Sequence, residues 1–123
     1  MAKRGERSEF TERIIAVIRG IPEGRVLTYG GAAALAGNAR GARAVVWVLN
    51  SSSEKEELPW HRVINSRGSI SLRPGYGFEL QKQLLESEGI EVSGRGVIDL
   101  EKYLWDGGGP DRHTVQGGEW FDG

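Results

Sequence analysis

Thr28-Tyr29-Gly30-Gly31-Ala32-Ala33-Ala34-Leu35-Ala36-Gly37-Asn38-Ala39-Arg40-Gly41-Ala42-Arg43-Ala44-Val45-Val46-Trp47-Val48-Leu49-Asn50 is the stretch whose reading decides the fold. Thr28 is a helix-capping type, because its hydroxyl can accept from a backbone N–H two or three residues on. Behind it come Tyr29 and the small residues Ala32, Ala33, Ala34 and Ala36, which let a second helix approach closely. Gly37-Asn38 supplies a turn. The next helix is expected from about Gly41 to Asn50, with Ala42, Val45 and Leu49 on one side and Arg40, Arg43, Trp47 and Asn50 at helical spacing on the other. Two short helices joined by a glycine-containing turn, the second bearing exposed arginines, fit a helix-turn-helix. A plain helical hairpin whose polar stripe faces water has the same periodicity, so spacing leaves both open.

Upstream, a charged arm leads into Phe10, Ile14, Val17, Ile18 and Ile21, the buried stripe of a helix with Ser8 as its N-cap. Ile21-Pro22-Glu23-Gly24 ends that helix, and Val26-Leu27 reads as a short extended link. Downstream of Ser51-Ser52-Ser53 and Glu54-Lys55-Glu56-Glu57, two apolar-bearing runs, Val63-Ile64 and Ser69-Ile70-Ser71-Leu72, flank Asn65-Ser66-Arg67-Gly68. They are expected to form a small hairpin, the wing of a winged helix. Arg73-Pro74-Gly75-Tyr76-Gly77 is a loop of turn formers. Phe78 to Glu88 is a last amphipathic helix, with Leu80, Leu84 and Leu85 inward and Gly89 at its end. Val92, Val97, Ile98, Leu100, Tyr103, Leu104 and Trp105 are apolar enough to pack back as an extended or looped segment. The expected division is one domain over 1–106 and a disordered glycine-rich tail over 107–123, in which Trp120 and Phe121 stand out as apolar.

The chain has 123 residues, enough for one domain with a modest core, and no cysteine. That excludes a disulfide framework, a thiolate metal site and a thiol nucleophile. No apolar run approaches the roughly eighteen residues of a membrane span, so a soluble, cytoplasmic protein is expected, associated with the nucleoid in a bacterium. The formal net charge is −1. Its signs are unevenly spread, with Lys3, Arg4, Arg7, Arg13, Arg19, Arg25, Arg40, Arg43, Lys55, Arg62, Arg67 and Arg73 early and acidic residues clustered from Glu79 onward. That distribution permits a basic face for phosphate binding, and it fits a plain solvated surface as well.

Leu58-Pro59-Trp60-His61-Arg62-Val63 crowds a rigid proline, an indole, an imidazole and a guanidinium into one turn. Proline stiffens the approach to it, which suits a pocket wall, although tryptophan and a lone histidine are more often packing residues. Pro59-Trp60-His61-Arg62-Val63 resembles the Pro-Cys-His-Arg-Val active-site motif of the O6-alkylguanine-DNA alkyltransferases, with tryptophan in place of the nucleophilic cysteine. That replacement marks the alkyltransferase-like proteins. Ile21-Pro22-x-Gly24-x-Val26-x-Thr28-Tyr29-Gly30 and Ala42-Arg43-Ala44-Val45 match the same family's helix-turn-helix, and Tyr103-x-Trp105 resembles the ending of the alkyltransferase-like group.

The resemblance, spanning roughly residues 10–105, implies a mostly α-helical winged helix-turn-helix that enters the minor groove and flips an O6-alkylguanine out of the stack. Flipping is required because the O6 edge is buried in the duplex. It implies DNA contacts at Thr28, Tyr29, Ala42, Arg43 and Ser66. Tyr29 would rotate the phosphate beside the lesion, and Arg43 would fill the space the guanine leaves, since a planar cation both stacks and hydrogen-bonds. The implied lesion pocket is Tyr29, Trp60, Val63 and Arg73, with the Val63 carbonyl meeting the guanine amine and Arg73 reaching over the base. His61 and Glu88 correspond to the family pair that activates cysteine; here they have nothing to activate and are expected to remain as a structural hydrogen bond.

Three departures from the family pattern stand out. Val46 replaces a glycine, Ser52 replaces the asparagine hinge, and the loop from Leu72 to Lys82 is about two residues longer, which widens the expected pocket. The expectation is therefore a monomeric, non-enzymatic sensor with no catalytic residue, metal or cofactor. Its partner would be double-stranded DNA containing O6-alkylguanine, which it would flag for nucleotide excision repair while blocking alkyltransferase access. A sequence-specific winged-helix regulator and a hydrolase using His61 and Glu88 are the alternatives.

Overall fold

The structure, a computed structural model, describes residues 8–108. The expected tail from 109 onward, with Trp120 and Phe121, lies outside the described residues, as do Lys3, Arg4 and Arg7. Five helices, α1 (Glu9–Arg19), α2 (Tyr29–Leu35), α3 (Ala42–Glu56), α4 (Phe78–Ser87) and α5 (Leu100–Tyr103), surround two short strands, β1 (Leu27–Thr28) and β2 (Val63–Ile64). The caps are where residue type places them: the Ser8 side chain accepts from Thr11 N at 3.0 Å, and Thr28 Oγ1 accepts from Gly31 N at 2.9 Å. Helices α1, α2 and α3 pack on one another through Ile14, Ile15, Ile18, Ala32, Ala33, Ala36, Val45 and Val48. Gly41 lies where that packing is tightest. A Cβ there would sit 2.5 Å from the Phe10 ring, so only glycine fits without a shift.

β1 and β2 pair in parallel, Leu27 opposite Val63 and Thr28 opposite Ile64. Because successive side chains on a strand point to opposite faces, this small sheet divides the interior. Leu27 and Val63 belong to the helical core with Leu58 and Trp105. Val26 and Ile64 belong to a second cluster with Ile70, Leu85, Ile90, Ile98 and Tyr103. The C-terminal segment closes the sheet's edge: Val26 N donates to the Tyr103 carbonyl at 2.9 Å and Trp105 N to the Val26 carbonyl at 2.8 Å.

Several expectations are corrected. The hairpin of Val63-Ile64 with Ser69–Leu72 does not form as a ladder; the bonds across the turn all centre on Asn65, among them Asn65 N to the Ser69 carbonyl at 3.1 Å and Gly68 N to the Asn65 carbonyl at 3.0 Å. Both residues of β2 are buried, so it needs partners on both faces and takes β1 as its neighbour. Ser69 instead bridges Val97 in antiparallel fashion, with Ile70 N donating to the Gly96 carbonyl at 2.9 Å and Ile98 N to Gly68 at 2.7 Å. Helix α3 runs past Asn50 to Glu56, with Ser51 Oγ returned to the Trp47 carbonyl at 2.8 Å. On α4, Leu80 faces out, 51 % exposed, and Gln81 takes the buried position at 3 %. The expected extended segment contains α5, capped by the Asp99 carboxylate. At the end of the described residues the Trp105 indole donates to the Gly108 carbonyl, and Gly108 N donates to Asp106 Oδ1 at 2.9 Å.

Candidate nucleic-acid interface

The turn from Leu58 to Val63 is held by its own backbone, with Leu58 N on the Ser53 carbonyl at 2.9 Å and Arg62 N on Pro59 at 3.0 Å. Trp60, His61 and Arg62 form one turn of 3-10 helix leading directly into β2. Ser52, standing where the hinge asparagine was expected, is buried and within 3.4 Å of Ser51 Oγ, so backbone bonds brace the turn in place of an asparagine side chain.

Beside this turn opens a cavity of about 810 Å³ whose wall includes Tyr29, Val46, Leu49, Trp60, Val63 and Leu72. Of the four residues assigned to the pocket from sequence, Tyr29, Trp60 and Val63 line it. Arg73 stands outside, its guanidinium 4.9 Å from the centre of the Tyr76 ring, a cation–π contact on the lengthened loop. Tyr29 Oη donates to Ser71 Oγ at 3.3 Å, tying α2 to the segment that forms the far wall. The Val63 carbonyl accepts from Gln81 Nε2 at 3.2 Å, and the same amide nitrogen reaches the His61 carbonyl at 3.0 Å. One lone pair of the Val63 carbonyl is therefore engaged, and a carbonyl has two.

The residues assigned to DNA contact from sequence lie at the starts of α2 and α3 and in the turn after β2. Thr28 caps α2, Ala42 and Arg43 open α3, and Ser66 lies exposed in the turn after β2, where Asn65 Oδ1 accepts from Arg67 N at 2.9 Å and Ser69 N at 3.1 Å. Arg43 is exposed with no hydrogen-bond or ion-pair partner among the described residues. Trp47, one turn further along α3, is 61 % exposed. Val46, which replaces the expected glycine, is half exposed and contributes to the cavity wall.

His61 and Glu88 meet as expected, Nε2 to Oε2 at 2.7 Å. The pair is part of a larger cluster. Arg62 Nη2 donates to Glu88 Oε2 at 2.7 Å and Nε to Oε1 at 3.0 Å, Gly24 N donates to Oε1 at 3.0 Å, and Arg62 Nη1 donates to the Ile21 carbonyl at 2.8 Å. Burial pushes the Glu88 carboxyl up, but the bonds from Arg62, the Gly24 backbone and His61 outweigh it and hold the group at about 2. A carboxylate held so low stays ionised and is not itself the proton acceptor; its place is to brace His61, Arg62 and the Gly24 backbone.

Sequence reasoning missed Gln81, Arg62 as a partner of Glu88, and the cavity residues Leu49, Asn50, Ser53, Glu54 and Glu57. The signal for Gln81 was its place four residues before Leu85, on the same helix face. Among the described residues no group of three or more His, Asp or Glu is placed to hold a metal ion, and no helix is long and apolar enough to cross a membrane.

Comparison with known proteins gives the same fold and family. The chain is 47% identical over 103 residues to a DNA base-flipping protein of Escherichia coli (strain K12), covering 84% of this chain and 79% of that protein. It is 38% identical over 102 residues to Alkyltransferase-like protein 1 of Schizosaccharomyces pombe, covering 79% and 94% of the two chains. Against the crystal structure of S. pombe Atl1 in complex with damaged DNA containing O6-carboxymethylguanine, it reaches a TM-score of 0.71 at 37% identity, covering 82% of this chain and 99% of that one. It also matches a methylated-DNA–protein-cysteine methyltransferase of Methanothermobacter thermautotrophicus at 36% identity, spanning 48% of that protein's length. Residues 9–90 match the 6-O-methylguanine DNA methyltransferase DNA binding domain, and the chain belongs to that family.

Proposed function

We propose that this protein binds duplex DNA at O6-alkylguanine, turns the base into the cavity beside Trp60 and leaves the alkyl group in place. The observation that carries the reading is Trp60 in the cavity wall of a chain that has no cysteine. An indole nitrogen is neither acidic nor nucleophilic enough to accept an alkyl group near neutral pH. The cavity is large enough for a purine with a substituent, and Tyr29 and Arg43 stand on the helices that flank its approach. Arg43, free among the described residues, fills the gap in the stack, while Tyr29 turns the adjoining phosphate. The protein acts as a monomer, shields the lesion from alkyltransferases and presents the distorted duplex to nucleotide excision repair. Relatives named as a DNA base-flipping protein and an alkyltransferase-like protein support this reading, and both cover more of their own length with this chain than the methyltransferase does.

The test compares binding to two duplexes that differ only in one guanine or O6-methylguanine, followed by mass analysis of the protein and the recovered base. The methylated duplex binds more tightly, and both protein and base come back unchanged. Restored guanine or an alkylated protein refutes the non-enzymatic part; equal affinity for the two duplexes refutes lesion recognition.

A further inference from the structure

Helix α3 turns one stripe to solvent. Val45, Val48 and Ser52 are buried on its inner side, whereas Arg43, Val46, Trp47 and Asn50, spaced at i, i+3, i+4 and i+7, are all exposed. Val46 and Asn50 continue into the cavity wall; Trp47 does not line the cavity, and it is 61 % exposed. Among the described residues its ring has no aromatic or cation contact, and its indole N–H has no hydrogen-bond partner. Ser51 Oγ bonds only the main-chain carbonyl of Trp47, at 2.8 Å, and leaves the indole uncovered. A single exposed apolar side chain is ordinary, so the surroundings of this one have to identify its partner. Residues 24–53, which contain α2 and most of α3, include no aspartate or glutamate, and Arg40 and Arg43 stand exposed on the approach to Trp47. The helix also belongs to the stretch that matches a DNA-binding domain. A face with cations, an uncovered aromatic and no carboxylate suits a polyanion whose sugars offer apolar surface.

We propose that Trp47 is a DNA-contact residue: its ring lies against the deoxyriboses of the strand beside the gap that Arg43 fills, and its indole N–H donates to a phosphate oxygen. The inference rests on the function proposed above, because it takes Arg43 to occupy that gap. Four residues along a helix rise about 6 Å, and nucleotides of one strand are spaced about 3.4 Å apart, so Trp47 comes within about two nucleotides of Arg43. Sugar and phosphate carry no base identity, so the contact strengthens binding without choosing among alkyl groups. It also adds no charge, so it releases no counterion and leaves the salt dependence of binding as it was. Arginine and tryptophan together at one exposed surface are the pair of side chains that most often carries binding energy, since both offer large contact area with a polar edge.

The experiment titrates the full-length protein and its Trp47→Ala and Trp47→Phe variants against one duplex carrying guanine, O6-methylguanine or O6-(2-hydroxyethyl)guanine at a single position, over a series of salt concentrations. Trp47→Ala is expected to weaken both alkylguanine duplexes by one common factor of roughly tenfold, and Trp47→Phe, which keeps a ring, to stay within roughly threefold of the unaltered protein. The slope of log affinity against log salt should be the same in all three proteins, and so should Tm, within about 3 °C, because the side chain is largely exposed. A second measurement needs no destabilising change: the emission that acrylamide quenches in the unaltered protein but not in Trp47→Phe reports this indole, and the methylguanine duplex should protect it. Unchanged affinity in Trp47→Ala, or an indole that acrylamide still reaches in the complex, overturns the proposal and leaves this face to a protein partner. A changed ratio between the two adducts places the indole against the flipped base and overturns its position on the sugars. Methylguanine bound no better than guanine by the unaltered protein refutes lesion recognition; a preserved preference with no loss in Trp47→Ala refutes the Trp47 contact alone.

Discussion

Replacing Glu88 with glutamine tests whether the inherited His–Glu pair is a structural brace. In the folded protein its carboxylate receives N–H groups from Arg62, His61 and Gly24, and it is held at about 2 against an ordinary 4.5. A displacement of that size corresponds to on the order of 3 kcal/mol favouring the ionised form in the fold. The neutral isostere forfeits most of this and leaves Arg62, whose side chain is 17% exposed, without its counter-charge. At pH 7, Glu88→Gln should therefore lose about 3 kcal/mol, or roughly 10–20 °C in Tm for a domain of this size. The sign of the pH dependence follows from the depressed value. The contribution is complete above the unfolded value near 4.5 and fades as the pH falls through the folded value near 2. Urea unfolding of both proteins at pH 7, 5, 4 and 3 should show the gap narrowing by about half at pH 3. A gap below 1 kcal/mol at pH 7, or one unchanged from pH 7 to pH 3, would refute the reasoning.

Arg43→Ala should weaken binding to every lesion duplex by one common factor, worth about 1–3 kcal/mol, while the ratio between adducts stays fixed; titrations at constant salt check this, and a changed ratio would place Arg43 against the flipped base. Ending the chain after Gly108 should leave thermal stability and lesion affinity nearly unchanged. Ending it before Tyr103 should remove the buried Tyr103 and Trp105 and the bonds to Val26, costing more than 3 kcal/mol by denaturant titration.

The helical half of the fold was legible because its signals are local. Ser8 and Thr28 bring their own capping oxygens, and the spacing from Phe10 to Ile21 and through Ala32, Val45 and Leu49 repeats at helical period. The other half depends on pairing between distant segments, which period does not report. Val63-Ile64 reads as half of a hairpin, yet its partner is Leu27-Thr28, more than thirty residues back. Likewise, Ser51–Ser53 looks like a connection, but packing buries Ser52 and carries α3 a further turn and a half. That extension is what brings Glu54 and Glu57 to the cavity, so no motif could announce them. Tyr29, Trp60 and Val63 were legible through resemblance; Gln81 was not, because a buried glutamine breaks the apolar pattern that reveals a helix's inner face.

Why a chain without a nucleophile keeps a histidine and glutamate in contact follows from what α4 does to the Trp60 turn. Glu88, at the end of that helix, binds His61 and Arg62 within the turn and Gly24 in the link before β1. Gln81, nearly two helical turns earlier, holds the carbonyls of His61 and Val63. The turn is thus fixed at both ends of one rigid helix, and Trp60 is presented to the cavity from a backbone with little freedom to move. On the function proposed above, the cluster's task in this chain is geometric. A pocket that must recognise a base without the energy of a covalent bond depends more heavily on being formed in advance, because ordering it on binding would subtract directly from affinity. Without a thiol to activate, His61, Arg62 and Glu88 still tie the Trp60 turn to the end of α4 and so fix the wall of the cavity.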